Sequence, residues 1–149
     1  MSATTYSPAA IALIKFYEGF GAYPSSDVGT TQVIGWGHDI LPEDTFTTPL
    51  SAEDADALLK GDMDKALAII LAAVKVPLNQ GQLDALVSFV FNVGGGAFEK
   101  STMLKNINNS DYTAAREQFR FWVHIGGVVS LGLTRRRAAE EDMFNGSPY

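Results

Sequence analysis

Apolar positions recur at helical spacing through most of the chain and lose that period in one place, residues 20 to 45. Before the break, Ser7-Pro8 precede the apolar run "AAIALIKFY". Serine caps a helix well, and proline costs nothing in a first turn, where its missing N–H has no partner to lose. A helix is therefore predicted from here to near Glu18-Gly19. The break itself is rich in Gly, Thr, Ser and Pro and contains one strand-like run, "TTQVIGW". It predicts a small two- or three-stranded antiparallel sheet.

Beyond it, Ser51 and Asp54 resemble a capping box, and Ala55, Leu58, Leu59, Met63, Ala66, Leu67, Ile70 and Val74 return to helical spacing. If Gly61 does not break this helix, it runs about 20 residues and roughly 30 Å, enough to join two lobes. Asn79 caps "QGQLDALVSFVFNV", which "GGG" at 94–96 should stop. Further helices are predicted from Ser101, near Asp111 and near Thr134, the last ending before Gly146, with "IGGVVSLGL" as a loop. The predicted fold class is α+β: a small N-terminal β-hairpin or sheet lobe joined by a long helix to a larger all-helical lobe. At 149 residues the chain is one domain with a real core. The small lobe covers about 18–60, and the helical lobe about 66–149 plus the N-terminal helix.

Composition narrows the chemistry. The chain has no cysteine, which rules out a disulfide framework and thiolate catalysis, and only two histidines, His38 and His124, which makes a His-rich or Cys-rich metal site improbable. A formal charge of −6 argues against a nucleic-acid partner bound through overall charge. Positive charge is concentrated only in "RRR", Arg135 to Arg137. No basic start precedes the first apolar run, and the longest such run, "ALAIILAAV", has nine residues, too few to cross a bilayer. A soluble protein without membrane insertion is expected.

Within the irregular stretch, two carboxylates draw attention. Glu18 ends an apolar helix and Asp27 follows in a turn-rich segment. Glycosidic cleavage needs an acid for the departing oxygen and a carboxylate or activated water on the other face; inverting enzymes hold the two groups about 6.5–9.5 Å apart. A helix end and a neighbouring hairpin can span that gap. Phe16, Tyr17 and Phe20 around Glu18 offer the apolar setting that keeps an acid protonated. Taken singly, a helix-end Glu and an Asp before Val28-Gly29 also serve as ordinary capping and turn residues.

Two longer stretches resolve that ambiguity by resemblance. "LIKFYEGF…D…IGWGH" resembles the opening of phage-type lysozymes, the endolysin muramidases of glycoside hydrolase family 24. That pattern reads Glu, eight residues, Asp, five residues, Thr, then Ile-Gly-x-Gly-His. Glu18, Asp27, Ile34, Gly35, Gly37 and His38 fall on it. "FNVG", "STML", "FRFWV", "GL" and "RRRAAE" resemble the larger lobe of the same family, in order. The resemblance implies a lysozyme-like fold and hydrolysis, without cofactor or metal, of the β-1,4 bond between N-acetylmuramic acid and N-acetylglucosamine in peptidoglycan glycan strands. It implies Glu18 as general acid and Asp27 as the group that orients the water or stabilises the oxocarbenium-like charge. A monomer is expected, made in the host cytoplasm and released to the bacterial cell wall.

The family threonine that helps hold the water falls on Val33, which matches threonine in shape but has no hydroxyl. Thr31, two residues earlier, would share a strand face with Val33 and is the expected substitute; Gln32 would face the other way. The preceding loop also departs from the pattern. Tyr23 lies four residues before Asp27 rather than two, and Gly29 two after it rather than three.

Other site residues follow from the resemblance. Arg136 aligns with a family arginine beside the catalytic glutamate, although Arg135 and Arg137 compete for the place and a solvated helix start reads equally well. Phe91 and Asn92 sit where the family lines its sugar-binding cleft; an amide can read N-acetyl or hydroxyl groups, whereas Phe91 suits the core. His38 would support the hairpin or pair with an acidic side chain. Two rival functions remain: a lytic transglycosylase, which needs Glu18 but no protein-held water, and an inactive peptidoglycan-binding relative.

Overall fold

The computed structural model describes residues 2–26 and 31–146. Helix α1 (Pro8–Glu18) is capped by Ser7, whose Oγ accepts from the Ala9 N–H. Three short antiparallel strands follow in the order β1 (Gly21–Ser26), β2 (Gln32–Gly35), β3 (His38–Asp39). Pairing of β1 with β2 is irregular between Gly21 and Ser25. Pro24 sits in that interval; lacking an N–H, it belongs at such a bulge rather than in a regular ladder.

Helix α2 (Ala52–Ala73) runs 22 residues through Gly61 without a break, behind Ser51, whose Oγ accepts from the Asp54 N–H. Helix α3 (Gln80–Val93) begins with a reciprocal capping box between Asn79 and Gln82. Gly94 ends it, but Gly95 and Gly96, expected to extend the stop, open the short helix α4 (Gly95–Glu99). Helices α5 (Thr102–Asn108) and α6 (Tyr112–Gln118) start behind Ser101 and Asp111, both of which accept from backbone N–H groups. The stretch read as a loop, "IGGVVSLGL", departs from expectation. It contains a hairpin of β4 (His124–Ile125) and β5 (Val128–Val129), turning through Gly126 and Gly127, both at positive φ. Two-residue strands are too short to show alternation, so only the Gly-Gly pair signalled them. Helix α7 (Leu131–Phe144) then begins behind Ser130, three residues earlier than the sequence suggested.

The larger core is built around α3, whose Leu83, Ala85, Leu86, Val87 and Phe89 have no exposure. This helix is buried on nearly every side because α1, α2 and α7 all pack against it. A second, small cluster joins Ile34, Leu50 and Ala55, with Trp36, Ile40, Phe46 and Leu58 against it. Helix α2 supplies both clusters, Ala55 to the small one and Leu59, Met63, Ala66 and Ile70 to the large. One rigid helix thus carries the sheet lobe on its first turns and the helical lobe on the rest.

Two glycines in helices have opposite surroundings. A Cβ at Gly61 would meet nothing within 4 Å, whereas one at Gly81 would collide with the Met143 carbonyl oxygen of α7. Gly61→Ala should therefore raise stability by about 0.5–1 kcal/mol through helix propensity alone, and Gly81→Ala should lower it by forcing α3 and α7 apart. Urea unfolding of both variants checks this, and a stabilised Gly81→Ala would contradict the packing described.

Candidate active site

Glu18 is the last residue of α1, and Gly19 (φ 72°) turns the chain away from it toward β1. The helix end projects the carboxylate across the molecule to α7. There Glu18 Oε2 accepts from Arg136 Nη1 at 2.6 Å, with the Glu18 side chain 20% exposed. The other oxygen, Oε1, lies against Gly37, where a Cβ would collide with it. This is the physical reason for the second glycine of "IGWGH": the hairpin backbone closes directly on the carboxylate, at positive φ (76°).

The three consecutive arginines have three different fates. Arg135 contributes its carbonyl, which accepts from the Tyr17 hydroxyl at 3.2 Å. Arg136 is buried, so the reading of a solvated helix start does not hold for it. Besides Glu18 it donates to the Ser88 carbonyl (3.3 Å) and, at longer range, to Glu140 Oε2 (3.4 Å). Arg137 is also buried; it donates from Nε to the Trp122 carbonyl at 2.8 Å, and from its two Nη atoms to Glu140 Oε1 and Asn92 Oδ1. Burial pushes its guanidinium below the ordinary arginine value, and the charge of Glu140 opposes that shift.

Glu140 joins the set. It has no exposure, and Ser88 Oγ donates to its Oε2 at 2.5 Å. Two guanidinium groups and two carboxylates therefore alternate from Glu18 through Arg136 and Glu140 to Arg137, and end on the Asn92 amide. Buried charges persist only when paired and hydrogen-bonded in this way. Ser88 carried no functional signal in the sequence; Arg137 was a competitor for the place of Arg136, and Glu140 stood only as the end of "RRRAAE" with no role of its own. A glutamate four residues after one arginine and three after another was the one hint, and helical surfaces show such spacings routinely.

Glu18 lines three cavities, so it stands where they meet. One of about 430 Å³ runs between the lobes along Gly37, His38, Asp39, Asp62, Lys65, Phe91 and Asn92. A second of about 300 Å³ is bounded by Phe20, Ser25, Ser26, Val33 and Gly37. The third, about 630 Å³, continues past Tyr17, Asn92, Trp122, His124 and Arg136.

The structure thus brings Glu18, Arg136, His38, Phe91 and Asn92 to one cleft. Phe91 is half-buried there and Asn92 exposed. His38 Nδ1 lies 2.8 Å from Asp62 Oδ2, so the hairpin is tied by its histidine to α2, in the first cavity's wall. Asp27 lies outside the described residues. Thr31 is exposed and precedes β2; among the described residues it is not part of the lining around Glu18. Val33 is, and so is Ser25, its direct partner across the β1–β2 pair.

Known proteins of similar sequence identify the family to which the chain belongs. The phage lysozyme family model matches residues 15–140. The chain belongs to the phage lysozyme family, a family of glycoside hydrolases. It is 38% identical over 148 residues to the endolysin of Bacillus phage PZA, covering 95% of this chain and 56% of that protein. The chain therefore spans about half the length of that relative. With the endolysin of Acyrthosiphon pisum secondary endosymbiont phage 1 it shares 37% identity over 140 residues, covering 90% of this chain and 93% of the other. Among solved structures, the muramidase domain of SpmX from Asticaccaulis excentricus superposes with a TM-score of 0.84 at 36% identity, over 94% of this chain and 97% of that one. The lysozyme-like architecture expected for the family is present.

Glu140→Gln should destabilise the protein by about 3–5 kcal/mol, because it leaves two buried guanidinium groups short of charge. Ser88→Ala should cost only about 1 kcal/mol, the loss of one donor. Chemical denaturation of both distinguishes them; equal losses would mean that Glu140 acts as a packing residue rather than as the counter-charge.

Proposed function

We propose that the chain hydrolyses peptidoglycan at the β-1,4 bond between N-acetylmuramic acid and N-acetylglucosamine, with inversion, and that Glu18 is the general acid. The observation that carries this is the division of labour between the two Glu18 oxygens. Arg136 occupies Oε2, whereas Oε1 lies against Gly37, which lines two of the cavities that Glu18 also lines. A proton held at Oε1 passes to the glycosidic oxygen as the bond from that oxygen to the sugar's anomeric carbon breaks. Glu18 then becomes a carboxylate, which Arg136 is already placed to stabilise. A water attacks the anomeric carbon from the opposite face and gives its proton to Asp27, in keeping with the two-carboxylate scheme for inverting glycosidases.

That water needs an orienting group, and Val33 offers none. Thr31 is one candidate hydroxyl. Ser25 is another, since directly opposed residues of an antiparallel pair share a face and Ser25 stands across from Val33 beside Glu18. The register favours Ser25. If it orients the water, Ser25→Ala lowers kcat about 10-fold or more with little change in KM, and Thr31→Val leaves both near wild type. The opposite ranking would assign the role to Thr31.

The missing hydroxyl at Val33 also supports a second reading, a lytic transglycosylase in which the sugar's own hydroxyl attacks. Mass spectrometry of digested sacculi separates the two: ordinary reducing ends are expected, and 1,6-anhydro ends would replace the hydrolase with the transglycosylase. Glu18→Gln keeps the shape of the acid but cannot protonate the leaving group, so clearing of permeabilised bacteria should fall at least about 100-fold. Equal clearing by the variant would leave only an inactive wall-binding role. Among the described residues no helix is long and apolar enough to cross a membrane. We place the site of action at the cell wall, reached from the host cytoplasm by a monomer.

A further inference from the structure

One guanidinium serves two carboxylates. Arg136 donates from Nη1 to Glu18 Oε2 at 2.6 Å, and its Nε lies 3.4 Å from Glu140 Oε2. Glu140 has no exposure; the same Oε2 accepts from Ser88 Oγ at 2.5 Å, and Oε1 accepts from Arg137. On the side of α7, Glu18 therefore meets the field of two guanidinium groups and one carboxylate, a balance of one positive charge. Arg137 is within reach of that field. Burial pushes its guanidinium down, and the charges of Glu140 and of Glu18 both oppose the shift. Electrostatic interaction is mutual, so Arg137 acts on Glu18 as well. The other titratable groups lining the cavities around Glu18 are Tyr17 on α1, His38 and Asp39 on β3, Asp62 and Lys65 on α2, and His124 on β4. Among the described residues, only Arg136 forms an ion pair with the Glu18 carboxylate.

We infer that Glu140 is a positioning residue for the reaction: acting through Arg136, it limits the positive charge that faces Glu18, so that the acid keeps its proton until the glycosidic oxygen takes it. This rests on the reading of Glu18 as general acid and adds what keeps that acid ready. An arginine beside an acid works in two directions. It stabilises the carboxylate left after proton transfer, and it also favours loss of the proton before substrate arrives. A general acid acts only while protonated, so the positive charge around it has to be limited. Two uncompensated guanidinium groups would favour the carboxylate from the start. With Glu140 between them, Arg136 still meets Oε2 when the proton has gone, but half of the combined positive charge is cancelled beforehand.

The test is the pH dependence of kcat/KM on isolated sacculi at constant ionic strength. Its fall on the alkaline side follows loss of the proton from the acid of the free enzyme. Glu140→Gln leaves two positive charges facing Glu18, so the fall should move to lower pH by about one unit. Arg137→Met leaves Glu140 and Arg136 as a one-to-one pair, so the fall should move to higher pH, by about half a unit. Glu140→Asp keeps the charge and should keep the wild-type position. Both neutral variants lose a partner from a buried ion pair, so thermal stability drops in each; a merely structural role for Glu140 gives that common drop without opposite displacements of the profile. Arg137→Met also takes a partner from Asn92 and should lower the height of the profile, which is read separately from its position. If Glu140→Gln does not fold, Arg137→Met decides alone. Profiles that stay in place, or that move in the same direction, would overturn the inference. Failure of the underlying reading looks different: Glu18→Gln would then keep its activity and the same alkaline fall.

Discussion

Glu140 is the interaction on which the cleft depends. It is a carboxylate with no exposure, set three residues from one arginine and four from another on α7. Neither guanidinium could be buried at that depth without it, since an uncompensated charge in the interior costs several kcal/mol. Because Glu140 is there, α7 can face the core with two cations and send each onward to a different task. Arg136 reaches Glu18 at the end of α1, and Arg137 reaches Asn92 near the end of α3. One buried anion thus coordinates residues from three helices that the chain places far apart.

The same arrangement explains how a site can be rigid at the edge of two lobes. The carboxylate of Glu18 is gripped from the helical lobe by Arg136 and closed upon from the sheet lobe by the backbone of Gly37. His38 adds a second tie, to Asp62 on the shared helix α2. Positioning is therefore done by groups that do not themselves react, which is how a reacting group is kept at low reorganisation cost. The sheet itself is small and mostly exposed, and its irregular β1 lies in the segment where the spacing departs from the phage-lysozyme pattern.

Chain-local physics was legible from the sequence. Ser7-Pro8, Ser51, Asn79, Ser101 and Asp111 act as the caps they were expected to be, because a cap needs only its own side chain and the next two or three N–H groups. The apolar stripe of α2 foretold a joining helix for the same reason, and Gly61 did not interrupt it. The spacing of Glu18 from "IGWGH" marked the family, since it is a backbone distance along one hairpin. Where local signals were short, they failed: β4 and β5 are two residues each, and Gly95 and Gly96 begin a helix although glycine usually ends one.

What only tertiary structure decided concerns partners distant along the chain. "RRR" could be read as one solvated patch, and nothing local distinguishes Arg136 from its neighbours. Successive helical residues point about 100° apart, so the packing of α7 on α3 determines which arginine meets Glu18, which meets Asn92, and which lends only its carbonyl. The pairing of Ser25 with Val33 is likewise a matter of strand register, set by a bulge the sequence does not locate. The sequence by itself determined most of the helices, their caps and the hairpin glycines; the folded chain determined which arginine meets the Glu18 carboxylate and which meets the Asn92 amide.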